Sequence, residues 1–278
     1  MREIIGNNVL YNGKIMPADQ IISIFNEGFS VYEVIRVEQG IAIFLEAHLK
    51  RLFHTLQLEQ LEISEPAGEI REYLHQLLDS NPFHKGKVKL VFHYPGNENQ
   101  RRYNFLFYFT DFAFPVEKQY MTGVRIGLCK AVRTDPNAKV LNTEARRIAD
   151  QKISETGLFE VLLMDEEGYI TEGSRSNIFF LKDRVLYTPP DENVLKGIAR
   201  QNVLAICREQ DISVEIRPIH SSELPGFEAS FLTGTSLKVL PVRQIEDFSY
   251  KVNEPLLRSL RFSYNQKIRE YIREQTSG

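Results

Sequence analysis

Two side chains in this sequence sit where chemistry explains them better than packing does. Lys139 lies in the loop NAKVLN, residues 137–142, immediately ahead of a helical pattern. Glu172 interrupts YITEGSRSNIFFL, residues 169–181, between two apolar strand-like runs. An unpaired carboxylate in such a place is expensive, although a lone Glu in a turn is ordinarily solvated. An amine of this kind can condense with an aldehyde, and a carboxylate can hold a protonated ring nitrogen.

Three further segments offer anion-binding groups. Arg51 stands on LEAHLKRLFHTLQL, where its alternative is a surface charge laid over the core. LKGIAR sets Gly197 before a helix, so the amides of Ile198 and Ala199 are free to face an anion. LTGTSLKV supplies Thr235 and Ser236 after Gly234 at the end of an apolar run. Each is weak alone, because most helix starts and Thr/Gly turns bind nothing. Together they describe donors for a dianionic phosphate, an amine for an aldehyde and a carboxylate for a ring nitrogen. Pyridoxal 5′-phosphate requires all three.

Other chemistries lose their main support. No GxGxxG, GxxxxGK[ST] or GxSxG motif occurs. Cys129 and Cys207 form no CxxC pair, and the six histidines are not spaced to put two ligands on one helical face, so no metal site is expected. A net charge of -3 gives no basic footprint for nucleic acid. No apolar run approaches the roughly 18 residues of a membrane helix, and MREIIGNNVLYNG lacks a signal-peptide core, so a cytoplasmic protein without membrane partners is expected.

The elements that must position these residues are legible as patterns. NVLYNGKIM carries the Asn12-Gly13 hairpin signal, and VYEVIRV and IAIF form a second hairpin. LEAHLKRLFHTLQL and EPAGEIREYLHQLLDS show helical spacing, and VKLVFHY and YNFLFYF read as strands. DFAFPVEKQYMTG reads as an extended linker broken by Pro115. Beyond it come VRIGLCKAV, a helix from about Thr143, LFEVLLMD, the hairpin around Glu172, a helix after Gly197, the strands ISVEIRP, ASFLT and LKVLPVRQI, and a terminal helix from about Glu254. Largely antiparallel hairpins mixed with helices give an α+β class. The expected organisation is a small N-terminal α+β domain over 1–112, a linker over 113–122, and a larger domain over 123–278 that carries Lys139.

The ordered set VYEVIRV, EAHLKRL, AKVLN, LLMDEEGYITEGSRSNIFF, LKGIAR and FLTGTSLKVLPV resembles the class IV, fold-type IV pyridoxal-phosphate enzymes over nearly the whole chain. These comprise branched-chain aminotransferase, D-amino acid aminotransferase and aminodeoxychorismate lyase. The resemblance implies the two-domain D-amino acid aminotransferase-like fold and transfer of an amino group between an amino acid and a 2-keto acid. It implies that Lys139 is the Schiff-base lysine, Glu172 the partner of the pyridine nitrogen, and Arg51, Ile198, Ala199, Thr235 and Ser236 the phosphate ligands. Tyr32 then lines the substrate side, and Arg175 faces cofactor, substrate or solvent. It also implies a homodimer, with GNENQRR as a loop reaching the partner. The chain departs from the family pattern in two places: His93, Tyr94 and Pro95 stand where the D-amino acid enzymes carry a carboxylate-binding arginine, and Asn142 and Thr143 stand where branched-chain enzymes carry a tyrosine. Aminodeoxychorismate lyase is the alternative reaction, and a non-catalytic protein that binds a phosphorylated ligand is the alternative class.

Overall fold

The computed structural model describes residues 4–21, 28–96, 102–111, 114–141 and 143–277. They gather into two units, one of Met1–Ala113 with Ala138–Leu141 and Glu270–Gly278, the other of Phe114–Asn137 with Asn142–Arg269.

The first unit is an antiparallel sheet with two helices. Its strands are β1 (Ile4–Tyr11), β2 (Lys14–Pro17), β3 (Phe29–Glu38), β4 (Ile41–Ala42), β5 (Lys85–Tyr94) and β6 (Asn104–Thr110), in the order β2-β1-β6-β5-β3-β4. The turn between β1 and β2 has positive φ at both Asn12 and Gly13, the geometry that an Asn-Gly pair accepts at low cost. Helices α1 (Leu45–Leu58) and α2 (Ala67–Asp79) coincide with the two helical patterns in the sequence. Their buried faces, including Leu49, Leu52, Leu56, Ile70 and Leu74, join Val31, Ile35, Leu90, Phe92 and Phe107 of the sheet in one core. Side chains alternate along a strand, so β3 sends Glu33 toward α1 and Tyr32 to the opposite face. There Tyr32 packs with Val9, Val91, Leu106, Tyr108 and Leu141.

The segment carrying Lys139 belongs to this first unit by its contacts. Val140 bridges Val31 of β3 antiparallel, Tyr32 N–H donates to Lys139 O at 3.1 Å, and Leu141 N–H donates to Ser30 O at 3.0 Å. Three residues thus extend the sheet beyond β3, a pairing between distant segments that no local pattern announces.

The second unit holds β7 (Val124–Lys130), β8 (Glu160–Met164), β9 (Tyr169–Gly173), β10 (Asn177–Lys182), β11 (Val185–Thr188), β12 (Val214–Ile216), β13 (Ile219–His220), β14 (Ala229–Gly234), β15 (Lys238–Ile245) and β16 (Phe248–Ser249). The order is β12-β11-β10-β14-β15-β7-β8-β9-β13, with β16 on β15. The pairs β7–β8, β15–β7 and β11–β12 are parallel, so this sheet is more mixed than the hairpin-rich reading anticipated. Its helices are α3 (Glu117–Thr122), α4 (Glu144–Thr156), α5 (Ile198–Glu209) and most of α6 (Pro255–Thr276). Helix α3 lies where an extended linker was expected. Pro115 precedes it without entering it, the Gln119 side chain accepts from Val116 N–H at 2.9 Å, and Gly123 at φ 67° ends it. Helix α4 starts where Thr143 Oγ1 accepts from Arg146 N–H. No described helix is long and apolar enough to cross a membrane, and the described residues contain no group of three or more His, Cys, Asp or Glu that could hold a metal.

Candidate active site

In the first unit, Lys139 is held by its backbone. Besides the sheet pairing, its N–H donates to Thr55 Oγ1 on α1 at 3.3 Å. The main chain on both sides of the amine is therefore fixed, and Nζ lies 4.7 Å from the centroid of the Tyr32 ring. Tyr32, expected on the substrate side, is thus beside the expected catalytic amine.

Under Tyr32, on the other face of β3, lies a buried charge cluster that the sequence reading missed apart from Arg51. Glu33 is completely buried, and its Oε1 and Oε2 accept from Arg51 Nε and Nη2, both at 2.7 Å. His48 Nδ1 lies 2.8 Å from Oε2 and donates to it, since an ionised carboxylate only accepts. Burial pulls the Glu33 carboxyl upward, but the charge and hydrogen bonds of Arg51, with His48 adding to them, hold it well below the usual carboxylate range. Burial pushes His48 below its ordinary value, against the hydrogen bond to Glu33. Arg51 and His48 are three residues apart on α1, which puts both on the face turned to the sheet. Arg51 is therefore no charge laid over the surface.

The second unit gathers the groups around Glu172. The carboxylate is 3 % exposed at the end of β9. Its Oε2 accepts from Leu195 N–H at 3.2 Å and from Asn177 Nδ2 at 3.3 Å, and Arg133 Nε lies 3.1 Å from Oε1. Asn177 Nδ2 also donates to Leu195 O at 2.9 Å, so one amide ties the start of β10 to the approach to α5. Arg133 and Asn177 are functional candidates that no local pattern singles out. The interruption of the strands is thus no solvated turn: two hydrogen-bond donors and the neighbouring charge of Arg133 compensate the buried carboxylate.

The turn after Glu172 is fixed by a second buried carboxylate. Glu160 Oε1 on β8 accepts from Arg175 N–H at 2.7 Å and from Ser176 Oγ at 2.9 Å. Burial raises the Glu160 carboxyl, opposed by these donors. Arg175 is not brought to the Glu172 group. Its side chain is exposed and paired with Asp150 of α4 at 2.7 Å, because the bend between β9 and β10, held by Glu160, turns it away from the buried side.

Gly197 forms the N-cap of α5 with no side-chain cap, ahead of buried Ile198 and Ala199. A Cβ at Gly197 would come within 2.1 Å of Asn177 Oδ1, so only glycine lets the helix start approach this closely. Thr235 and Ser236 follow β14 in the turn closed by Leu237 N–H to Gly234 O at 3.1 Å. Two buried hydroxyls, Ser174 Oγ and Thr233 Oγ1, have no hydrogen-bond partner among the described residues. Buried hydroxyls are normally satisfied, so a polar ligand with acceptor oxygens fits here. An uncapped helix start and small hydroxyls as donors, with a buried carboxylate as acceptor, are a set of groups that fits pyridoxal phosphate.

Of the positions that depart from the family pattern, His93 is buried with Nδ1 2.8 Å from Ser30 Oγ, and the Tyr94 hydroxyl donates to Glu62 O at 3.0 Å. Asn142 and most of GNENQRR lie outside the described residues.

A family model described as amino-transferase class IV matches residues 30–245. Among curated proteins, the D-alanine aminotransferase of Bacillus licheniformis is 29% identical over 255 residues, 86% of this chain and 88% of that one. The aminodeoxychorismate lyase of Bacillus subtilis is 23% identical over 297 residues, 96% of this chain and 97% of that one. Among solved structures, the branched-chain amino acid aminotransferase of Escherichia coli has the same fold at TM-score 0.86 with 18% identity, covering 95% of both chains. The fold is that of the pyridoxal-phosphate enzymes called fold type IV. The chain belongs to the class IV aminotransferases.

Proposed function

We propose that this protein binds pyridoxal 5′-phosphate covalently at Lys139 and moves an amino group between an amino acid and a 2-keto acid. The observation that carries the reading is the anchoring of Lys139: backbone pairing on β3 and the bond to Thr55 fix the chain and leave the amine on the face of Tyr32. Ile198 and Ala199 amides, the Thr235 and Ser236 hydroxyls and Arg51 would hold the phosphate, and Glu172 the pyridine nitrogen. When bound, the cofactor supplies an electron-withdrawing ring that acidifies the substrate α-carbon. Lys139 Nζ would form the covalent link to the cofactor and, as a free amine, would take and return the proton of the substrate α-carbon. Glu172 keeps its oxygens aligned through Leu195 N–H and Asn177, so its charge is preorganised. Tyr32 orients the Lys139 amine and walls the substrate side.

The experiment is spectroscopic. Protein given pyridoxal phosphate turns yellow, borohydride bleaches it, and Lys139→Ala stays colourless. A wild type that never colours contradicts the reading and leaves a phosphate-binding protein in its place. Similarity to the Bacillus subtilis lyase over 96% of this chain favours a second reaction on the same site. Glutamate formed from an amino donor and 2-oxoglutarate supports the transaminase, and 4-aminobenzoate with pyruvate formed from aminodeoxychorismate supports the lyase. We further propose a homodimer, which sedimentation at several protein concentrations tests, a cytoplasmic location, and a domain division at the 113–122 segment.

A further inference from the structure

Glu172 lies near the end of β9 and Asn177 begins β10, yet these two strands do not pair with each other. Strand β9 runs between β8 and β13, and β10 between β11 and β14. The Asn177 amide still reaches the Glu172 carboxylate at 3.3 Å, so the bend over 173–176 must bring the two strand ends together. That bend is gripped by Glu160 at the start of β8, a carboxylate 2 % exposed that the proposed chemistry does not use. Its Oε1 accepts from Arg175 N–H at 2.7 Å and from Ser176 Oγ at 2.9 Å, the two residues immediately ahead of Asn177. Ser174 N–H donates to Val161 O on the same strand at 3.0 Å. Gly173 is part of the fit: a Cβ there would lie 2.6 Å from Glu160 Oε1 and 2.2 Å from Ser176 Oγ, and would wedge the bend off the carboxylate. The outer contacts hold less firmly. Arg146 Nη1 reaches Ser174 O at 3.3 Å, and the Arg175–Asp150 pair is half exposed, where an ion pair contributes little. Burying a carboxyl is costly unless its bonds are needed. Here it accepts from a backbone N–H and from a buried hydroxyl.

We propose that Glu160 is a positioning residue for the site of the pyridine nitrogen: by clamping the bend it brings Asn177 onto Glu172 and sets where the Glu172 oxygens point. This rests on the aminotransferase reading. Glu172 Oε2 takes its direction from Asn177 Nδ2 and Leu195 N–H, and Asn177 is itself tied to Leu195 O at 2.9 Å. A carboxylate aligned before the ring arrives needs no reorganisation to meet a positive nitrogen. With the clamp released, Asn177 leaves its place, and Leu195 N–H alone directs that oxygen. Glu160 acts through hydrogen bonds rather than charge, because both donors need only an accepting oxygen.

The test compares Glu160→Gln, whose amide oxygen accepts both bonds, with Glu160→Ala, which accepts neither. In the cofactor-free protein, hydrogen exchange of the Asn177 side-chain amide is followed by NMR. It is expected to be at least about tenfold faster in Glu160→Ala and within about threefold of wild type in Glu160→Gln. In protein loaded with ¹⁵N-labelled pyridoxal phosphate, the ring-nitrogen signal is expected to move toward the unprotonated position in Glu160→Ala and to stay in place in Glu160→Gln. Wild-type exchange or a wild-type ring nitrogen in Glu160→Ala overturns the proposal whatever the melting temperature, and so does an equal change in both variants. If Glu160→Ala does not fold, Ser176→Ala removes one of the two bonds and is read in the same way. Wild-type protein that takes up no pyridoxal phosphate defeats the aminotransferase reading, while the exchange comparison still decides whether Glu160 clamps the bend.

Discussion

Arg51 grips Glu33 with two parallel hydrogen bonds of 2.7 Å, one from Nε and one from Nη2, inside the first unit. Breaking a buried pair by removing one partner leaves an uncompensated charge. Arg51→Met is therefore expected to cost about 3–5 kcal/mol. The double variant Glu33→Gln/Arg51→Met is expected to recover most of that. Urea unfolding of the three proteins checks this, and a cost below about 1 kcal/mol for the single variant, the range of an exposed pair, contradicts it.

The same cluster sets the acid limit of stability. The folded-state value of His48 lies below its unfolded one, so protonation opposes folding once pH falls beneath about 6.5. Glu33 is also depressed, so its contribution is present above about pH 4.3 and drains away as pH falls further. The melting temperature should be level from pH 8 to 7, decline below about 6.5, and fall more steeply below about 4.5. His48→Gln should remove the first step and leave the second. A melting temperature that does not change between pH 7 and 4 would refute the assignment.

Helix α1 begins after Phe44, whose φ of 56° is a left-handed conformation that costs a non-glycine residue. The start is tied by Tyr271, whose hydroxyl accepts from Leu45 N–H at 3.1 Å, donates to Glu46 Oε2 at 2.8 Å, and whose ring packs edge-on to Phe44 at 5.1 Å. Tyr271→Phe keeps the ring and removes both hydrogen bonds, for a cost of about 1–2 kcal/mol. Thermal unfolding reads the loss, and hydrogen exchange should localise it to the first turn of α1. Uniform exchange along α1 would argue against the cap.

Gly197 touches Asn177, and Asn177 touches Glu172, so a methyl group at one end should be felt at the other. Gly197→Ala is expected to push Asn177 aside at a cost of about 1–3 kcal/mol. Cofactor affinity should fall more than tenfold, because both the helix start and the Glu172 carboxylate lose their fixed positions. Equilibrium dialysis against pyridoxal phosphate measures it, and wild-type affinity would contradict the arrangement.

Local pattern was enough for α1, α2 and the Asn12-Gly13 turn, because spacing and turn chemistry are written in adjacent residues. The two strands around Glu172 form no hairpin: β9 pairs with β8 and β13, and β10 with β11 and β14, because the bend between them carries the chain to another part of the sheet. Local pattern failed wherever partners are distant. Glu33 reads as one polar residue in VYEVIRV, and its meaning depends on Arg51 eighteen positions on. Arg133 sits in an irregular loop, and only the fold brings it to Glu172. Arg175 is left open in the sequence between cofactor, substrate and solvent, and the bend clamped by Glu160 sets its side chain against Asp150. Strand β11, Val185–Thr188, went unread because it is four residues long and followed at once by two prolines.

Whether the ring served by Lys139 is also the ring served by Glu172 can be read from the pyridine nitrogen itself. Wild-type protein loaded with ¹⁵N-labelled pyridoxal phosphate should show a protonated ring nitrogen at pH 7.5, and Glu172→Gln should show it deprotonated while borohydride still fixes the label to Lys139. An identical nitrogen shift in the two proteins would mean that the Glu172 carboxylate holds something else.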